Sequence, residues 1–346
     1  MKLGMLMRYE GEAGGPNIDL VLEAERLGYE SVWAGESYGV DAVTPMTWVL
    51  ARTKRIKAGT GIMQIPGRTP ACAAMTAMTL QAMSSNRFLM GVGPSGPQVI
   101  EGWHGVAYGK PLARTKEYIE IVRKIFDRTG TLEYQGEHYQ IPYQGPGASG
   151  LGKPIKSIVK AQSGLKIYTA AIAPAGLRTA GEVADGVLPI YLSPEKANLV
   201  SDHVLDGRVA AGKPRTLDGF DIAPYVRMTM GPDLQKCRDS IKPQLALYIG
   251  GMGARSKNFY NDYAKRLGYA DAAVKIQDYF LDGKRNEAAA AVPDKLIDEI
   301  ALVGPADRIK GRLKDWKAAS SGNRIGTMLI GGADAEGLRI AAEAVA

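Results

Sequence analysis

The stretch IKAGTGIMQIPGRTPACAAMTAMTLQAMSSNRFLMGVGPSG, residues 56–96, contains the pattern that decides the fold. It opens on a short apolar run, passes a turn with Pro66 and Gly67, and continues as an Ala- and Met-rich segment with Pro70 at its start. A second apolar run then ends in glycines. This order predicts a strand over 56–62, a helix over 70–84 and a second strand over 87–92.

The same order of strand, turn and helix recurs on both sides of this unit. We predict strands over residues 2–7, 31–34, 56–62, 87–92, 167–171, 187–191, 220–230 and 326–330. We predict helices over residues 17–27, 45–53, 70–84, 112–128, 176–184, 195–211, 234–248, 305–319 and 334–345. Eight such units predict an α/β fold in which a parallel sheet closes into a (β/α)8 TIM barrel. A doubly wound open sheet is the alternative.

Length alone leaves the number of domains open. The 346 residues suffice for two average domains, but α/β barrels run to about 250 residues or more as one. Two stretches interrupt the repeating order: a hairpin-like and glycine-rich stretch near 130–152, and a helical stretch over 250–292. We predict a single barrel domain, 1–346, with these two as insertions. The second insertion is a candidate dimer surface or a local lid over the barrel.

The chain is basic, and its charge is unevenly distributed. The net charge is +7, from 43 Lys and Arg against 36 Asp and Glu. Residues 42–100 contain six basic and no acidic residues, and residues 138–181 contain five and none. A polyanionic ligand suits such stretches, although buried strands and Ala-rich helices also lack carboxylates. No nucleic-acid partner is predicted, since the chain has no known binding module and its basic residues form no single stripe.

Cysteines and apolar runs bear on location. Cys72 and Cys237 are too few for a disulfide framework and too far apart for a CxxC site, which is typical of a reducing compartment. The apolar run over 1–7 is interrupted by Arg8 and lacks the features of a signal peptide. No apolar stretch reaches the roughly 18 residues of a membrane span. We therefore expect a cytoplasmic protein with no membrane partner.

Two glycine-containing loops are candidates for binding an anion or a planar ring. GVGPSG, residues 91–96, matches GxGxxG, but a dinucleotide fingerprint follows the first strand and runs directly into a helix, whereas Pro94 and Pro97 interrupt the helix start here. Its glycines still let backbone N–H groups approach a ligand closely. APAG, residues 173–176, opens a helix whose free N–H groups favour a phosphate, although a plain turn has the same composition.

Hydrolytic and metal chemistry find little support in the sequence. Histidine occurs only at His104, His138 and His203, without HExxH or a His/Asp cluster at ligand spacing, so no metal site is predicted. A GxSxG elbow and a Walker loop are also absent. His104, in EGWHG after the fourth-strand glycines, is the histidine best placed for the site, with packing as the alternative.

Seven segments carry a resemblance to a known family, and they occur in the family's order. They are KLGMLM (2–7), GYESVWAGES (28–37), IKAGTGIMQIPGRTP (56–70), NRFLMGVGPSGPQVIEGWHG (86–105), KPLARTKEYIEIVRKIF (110–126), AGEVADGVLPI (180–190) and LALYIGGMGA (245–254). Together they resemble the bacterial-luciferase-like family. Within it they are most similar to the coenzyme F420-dependent oxidoreductases of the methylenetetrahydromethanopterin-reductase-like branch, over nearly the whole chain.

This resemblance implies a luciferase-like barrel that holds a deazaflavin, coenzyme F420, across its strand ends. In relatives a bulge with a non-proline cis peptide on the third strand supports the central ring, and two loops contact the phosphate and side chain. The implied cofactor-binding residues are Gly61, Ile62, Met63, Gly93, Pro94, Ser95, Gly96, Ala173, Pro174, Ala175 and Gly176. The coenzyme carries a phosphate and an oligoglutamate tail, so the resemblance favours a basic lining around both loops.

Two departures from the family pattern bear on catalysis. Sugar-phosphate enzymes and methanogen reductases of the family tend to have Asp-His after the second strand, where this chain has Glu36 and Ser37. The sugar-phosphate enzymes also have a Glu near the position of Gly96, and we find no other base well placed for a sugar hydroxyl. Our candidate catalytic residues are Glu36, as acid or orienting carboxylate, Ser37 and His104, with Tyr38 as a further substrate contact.

Three functions remain as hypotheses. The first is an oxidoreductase that transfers a hydride between reduced coenzyme F420 and a small organic substrate, most readily by reducing an electrophilic C=C, C=N or C=O bond. The second is an FMN-dependent two-component monooxygenase of the luciferase-like superfamily, supplied by a separate reductase, since FMN is also anionic. The third is a non-catalytic flavin-binding protein. We expect a homodimer, and no sequence feature names the substrate.

Overall fold

The computed structural model describes residues 1–10 and 14–346, which form an α/β structure built on a curled parallel sheet. The strands are β1 (Lys2–Leu6), β2 (Tyr9–Glu10), β3 (Gly15–Pro16), β4 (Ser31–Ala34), β5 (Lys57–Thr60), β6 (Met63–Gln64), β7 (Phe88–Gly93), β8 (Tyr134–Gln135), β9 (Gln140–Ile141), β10 (Ile167–Thr169), β11 (Gly186–Val187), β12 (Asp221–Ile222), β13 (Tyr225–Met230), β14 (Ala301–Gly304) and β15 (Thr327–Gly331).

The helices follow the strands on the outside of the sheet. They are α1 (Ile18–Arg26), α2 (Val43–Arg52), α3 (Pro70–Met83), α4 (Pro97–Gly102), α5 (Pro111–Asp127), α6 (Pro174–Val183), α7 (Asn198–Ala210), α8 (Leu234–Asp239), α9 (Lys242–Ala246), α10 (Phe259–Arg266), α11 (Ala270–Leu281), α12 (Arg285–Ala290), α13 (Asp294–Ile300), α14 (Ala306–Ala319) and α15 (Ala335–Val345). A π-helical turn, Leu247–Gly251, follows α9. None of the described helices is long and apolar enough to cross a membrane.

Hydrogen bonds close the parallel sheet into a barrel. The strands pair in the order β11, β10, β7, β5, β4, β1, β15 and β13. Backbone amides in 221–225 donate to carbonyls in 185–189 at 2.9–3.0 Å, and carbonyls in 221–225 accept from amides in 326–329 at 2.9–3.0 Å. Because this one segment is bonded along both edges, the ring is complete. The predicted (β/α)8 class is confirmed, and the open-sheet alternative is wrong.

The seventh predicted strand and the helix after it are interrupted at prolines. Residues 220–230 form two strands, β12 and β13, separated at Pro224, which has no backbone N–H to donate to a neighbour. The helix predicted over 234–248 divides into α8 and α9, with Pro243 in the first turn of α9. The prediction missed β14, which pairs with the second half of β13 beyond the ring.

Both predicted insertions contain regular structure. The stretch near 130–152 contains the antiparallel hairpin of β8 and β9. The stretch 250–292 contains α10, α11 and α12, which contribute to a second apolar cluster that also includes Cys237, Ala301 and Val303. The single domain over 1–346 stays a prediction.

Large side chains fill the barrel interior below its carboxyl-terminal mouth. Trp33, Leu89, Tyr168 and Leu329 are buried together there. Gly59 leaves room for the indole, because a Cβ at this position would lie 2.4 Å from the Trp33 ring. Since the interior is packed, a ligand site in this fold lies at the mouth, where the strands end.

Two glycines allow α6 and α7 to pack in close contact. A Cβ on Gly207 would lie 1.9 Å from the Arg178 carbonyl oxygen, and one on Gly181 would lie 2.1 Å from the Val204 carbonyl oxygen. Backbone atoms cannot move aside as a flexible side chain can. These two positions therefore fix the distance between the two helices.

Gly207→Ala is expected to lower the midpoint of thermal unfolding, because the added methyl group forces α6 and α7 apart at a cost of about 1–3 kcal/mol. Gly311→Ala, the matched control, adds a methyl group in α14 where no atom lies within 4 Å. We expect it to raise the midpoint, by about 0.5–1 kcal/mol of stability, because alanine favours the helix. Equal midpoints for the two variants would contradict the close α6–α7 contact.

Candidate functional site

The ends of three neighbouring strands meet at the centre of the barrel mouth. The peptide bond between Gly61 and Ile62, just after β5, is cis, at the position that the resemblance implied. The Ile62 side chain lies 3.1 Å from where a Cβ of Gly93 would be, and the Ala170 Cβ lies 3.5 Å from the same point. Gly61 and Ile62 are both half-buried. Backbone without bulky side chains of its own is therefore present at Gly61 and Gly93, beside the side chains of Ile62 and Trp33.

Gln64 holds the loop after β4 in place. Its side chain is fully buried, two residues beyond Ile62. The Gln64 backbone amide donates to Glu36 Oε2 at 2.8 Å, and its Nε2 donates to the carbonyl oxygens of Glu36 and Ser37, each at 3.2 Å. The loop that carries two predicted catalytic residues is thus fixed by one amide side chain.

The same side chain also reaches the loop after β7. Gln64 Nε2 lies 3.3 Å from Ser95 Oγ, and Gln64 Oε1 lies 2.5 Å from His104 Nε2. The His104 ring packs against Gly67, where a Cβ would lie 3.3 Å from its Cε1 atom. The structure therefore brings Glu36, the Ser37 backbone, Ser95 and His104 together around a residue that sequence reasoning missed. The sequence signal that could have identified Gln64 is a single amide side chain between the apolar residues Met63 and Ile65.

Glu36 forms a two-point ion pair with Arg68, another residue that the sequence did not single out. Arg68 Nη1 and Nη2 donate to Glu36 Oε2 and Oε1, both at 2.9 Å. The Glu36 side chain is 10% exposed and the Arg68 side chain is 20% exposed. Burial lowers the pKa of Arg68, but hydrogen bonds to Glu36 outweigh it and the pKa is raised. With the Gln64 backbone amide on the same carboxylate, Glu36 is suited to orient the loop.

The other predicted residues of these loops differ in what they present to the mouth. Met63 is buried within the main apolar core, so it presents almost no surface to the mouth. Ser37 is exposed, and Tyr38 is 68% exposed. Pro94 lines a small surface cleft together with Tyr108 and Arg114.

The amino terminus of α6 provides an anion-binding feature at the mouth. Ala173 has no capping side chain, so the first N–H groups of α6 are left without a helical partner. Arg266 Nη2, from α10, donates to the Ile172 carbonyl oxygen at 2.9 Å, which places a cation beside this terminus. Gly176 packs closely on Ala171, because a Cβ at position 176 would lie 3.2 Å from the Ala171 Cβ. Free N–H groups with a cation nearby fit a phosphate.

Four basic residues of the acid-free stretches do not face the candidate loops, which narrows the sequence-based interpretation of the charge. Lys57 begins β5, while Arg87 and Lys166 directly precede β7 and β10. These positions are at the amino-terminal end of the barrel, opposite the candidate loops. Arg68 is at the mouth but is paired with Glu36. These four basic residues therefore do not give the two loops a basic lining.

Comparisons with known proteins agree with this geometry. At 38% identity over 321 residues, 92% of each chain, the protein is similar to "Putative coenzyme F420-dependent oxidoreductase Rv3520c" of Mycobacterium tuberculosis. It is 27% identical over 302 residues, 86% of this chain and 84% of the other, to the 5,10-methylenetetrahydromethanopterin reductase of Archaeoglobus fulgidus.

The fold is also similar to that of a solved structure. The coenzyme F420-dependent tetrahydromethanopterin reductase of Methanopyrus kandleri superposes with a TM-score of 0.77 at 20% identity, covering 99% of this chain and 98% of that one. Residues 1–322 match the family model described as luciferase-like monooxygenase. The chain therefore belongs to the bacterial luciferase-like family.

Proposed function

We propose that this oxidoreductase transfers a hydride between reduced coenzyme F420 and a small organic substrate. The observation that carries the proposal is the pairing, at one barrel mouth, of half-buried backbone at Gly61 and Ile62 with the uncapped amino terminus of α6. The first fits a tricyclic ring, and the second fits a phosphate. The named relative that is 38% identical over 92% of both chains supports the same cofactor.

Within this proposal, the chain's residues bind and orient while the coenzyme supplies the hydride-transfer chemistry. Gly61, Ile62 and Gly93 would support the ring. The N–H groups at the start of α6 would hold the phosphate. Gln64 fixes the relative positions of the loops on either side of the ring, and such positioning lowers the barrier by holding the reacting atoms in line.

The alternative is an FMN-dependent monooxygenase supplied by a separate reductase. The family description, luciferase-like monooxygenase, favours it. FMN also carries a ring and a phosphate, so the same two features of the mouth suit it. A non-catalytic flavin-binding protein is the third candidate. It would bind the cofactor without turnover, whereas the first two candidates would show turnover.

We further propose that the protein is a cytoplasmic homodimer. Cys72 and Cys237 are both free cysteines, which fits a reducing compartment. Phe259, in the second insertion, is 43% exposed and is a candidate contact between protomers. Light scattering coupled to size-exclusion chromatography measures the assembly directly.

Titration of the purified protein with coenzyme F420 and with FMN, followed by fluorescence, tests the cofactor. We expect coenzyme F420 to bind and Ala173→Asp to weaken binding by roughly tenfold or more. The new carboxylate would occupy the first N–H groups of α6 and repel the phosphate. Thermal stability should not fall, because aspartate is a favourable capping residue.

Ala173→Ser is the matched control, since it caps the helix without adding charge, and its loss of affinity should be smaller. Tight FMN binding without measurable coenzyme F420 binding would overturn the main proposal and leave the monooxygenase alternative. Unchanged coenzyme binding in Ala173→Asp would remove α6 from the site.

Glu36→Gln is expected to lower stability by about 1–2 kcal/mol, since it removes the two-point ion pair of half-buried Arg68 and leaves only the 3.4 Å contact with Asp41. Turnover should fall as the loop loses its orientation, while the shape of the pH–rate profile stays the same. Glu23→Gln, which removes an exposed ion pair with Arg26, should leave the stability nearly unchanged.

The decisive comparison is between the pH profiles of the wild type and Glu36→Gln. If the pH–rate profile of the variant lacks one of the two limbs seen in the wild type, Glu36 is the group that transfers a proton. Unchanged turnover would remove Glu36 from the catalytic candidates.

A further inference from the structure

One face of β13 presents polar side chains to the interior of the barrel. Tyr225 pairs in register with Leu329, which belongs to the interior cluster, and Arg227 pairs with Gly331. Alternate residues of a strand share a face, so Tyr225, Arg227 and Thr229 point inward together and rise towards the mouth. We refer to these three residues as the β13 face.

The β13 face includes buried polar groups that lack protein partners. Arg227 Nε and Thr229 Oγ1 are both buried, and neither has a hydrogen-bond partner in the described part of the chain. Within the same residues Arg227 is in none of the ion pairs, unlike Arg68 at the other side of the mouth. Arg227 as a whole is half-buried, so its guanidinium is partly shielded from water and has no counter-charge there. An anionic ligand fits such a group, because hydrogen bonds between a guanidinium and an anion are strong.

Two consecutive glycines make room for these side chains. A Cβ on Gly331 would lie 2.3 Å from the Tyr225 ring, and one on Gly332 would lie 2.8 Å from Arg227 Nε. Gly332 also has a φ of +83°, which favours glycine. The end of β15 thus admits a tyrosine and an arginine that any larger residue there would displace.

Three tyrosines from different segments pack edge to face next to the β13 face. Tyr191 follows β11, Tyr248 lies in the π-helical turn and Tyr260 begins α10. Their ring centroids are 5.7 Å apart for Tyr191 and Tyr248, 6.5 Å for Tyr191 and Tyr260, and 4.8 Å for Tyr248 and Tyr260. We call these three residues the tyrosine cluster.

A backbone contact joins the tyrosine cluster to the β13 face. Ile190 forms a bridge with Tyr225, directly before Tyr191. Burial raises the pKa of Tyr248, and the nearby hydroxyl of Tyr225 raises it further. All three tyrosines of the cluster are half-buried, so each keeps part of its surface accessible.

The second insertion fixes the position of this cluster. Gly250 and Gly251, in the turn that carries Tyr248, pack on Phe280 so closely that a Cβ would lie 2.5 and 2.3 Å from that side chain. This arrangement favours the lid interpretation of the insertion, since Tyr260 faces Tyr191 of the barrel.

We propose that the β13 face and the tyrosine cluster form the acceptor site for a planar, conjugated carboxylate. The Arg227 guanidinium would bind the carboxylate, since its fork matches two carboxylate oxygens. The tyrosine rings would enclose the flat conjugated part of the molecule. A carboxylate is favoured over a phosphate because the single cation of the β13 face balances one negative charge, whereas a phosphate carries about two.

The site deepens the proposed function and rests on it for the reaction. The conjugated C=C bond would gain a hydride at its β-carbon and a proton from water at its α-carbon. Reduced coenzyme F420 would supply the hydride with its two electrons and release one proton, which would neutralise the hydroxide left by the water, so the step balances. Binding of the acceptor, in contrast, can be measured without the coenzyme.

Calorimetric titration of the coenzyme-free protein with cinnamate and with cinnamamide tests the site. These two probes have nearly the same shape and differ in charge. We expect cinnamate to bind at least tenfold more tightly, and we expect Arg227→Met and Arg227→Gln to abolish that preference. Tyr248→Leu should weaken the binding of both cinnamate and cinnamamide. The exposed control variants Arg324→Met and Tyr143→Leu should bind as the wild type does.

Each outcome bears on one proposal. Equal affinity for cinnamate and cinnamamide, or a preference that survives in a folded Arg227 variant, would overturn the acceptor site. Tighter binding of phenyl phosphate than of cinnamate would overturn its assignment to carboxylates. A weaker affinity for coenzyme F420 in Arg227→Met, with cinnamate unaffected, would assign Arg227 to the coenzyme. Cinnamate binding that depends on Arg227 in a protein that fails to bind coenzyme F420 would support the site while overturning the proposed function.

Discussion

The hydrogen bonds of one buried amide, Gln64, determine the arrangement of the barrel mouth. Its side chain and backbone bond to Glu36 and to the Ser37 carbonyl on one side, and to Ser95 and His104 on the other. A buried amide is costly unless its donors and acceptor are paired. The loops after β4 and β7 are thus held in a single relative position. The backbone at Gly61 and Ile62 lies between these two loops, and the two residues precede Gln64 in the chain by three and two positions.

The repeating order of strands and helices was enough to predict the barrel. Each unit buries one face of a helix on the sheet, and the turns contain the glycines and prolines that end regular structure. The errors have local causes. Pro224 divides a strand that its apolar pattern makes continuous, and β14 follows α13 without a turn residue between them. Pairing between strands that are distant in sequence is not encoded by any local pattern.

The site was predictable as a set of loops but not as a network. Glu36 and His104 were identified from their positions after strands, whereas their connection through Gln64 depends on distances that spacing does not give. Arg68 looked like part of a basic lining, and the structure makes it the partner of Glu36. The Arg87 guanidinium donates hydrogen bonds to carbonyl oxygens below the mouth, including that of Leu50 at 2.8 Å. Linear charge patterns cannot tell which end of a barrel a residue occupies.

The contact between Phe280 and the turn that carries Tyr248 has an evolutionary consequence. Phe280 lies in α11, outside the barrel, and it packs on Gly250 and Gly251. A change of size at Phe280 shifts this turn and re-aims Tyr248 without altering any strand or coenzyme loop. Relatives with the same barrel can therefore diverge in the molecules they accept through substitutions in the insertion alone, while the chemistry at the mouth is inherited intact.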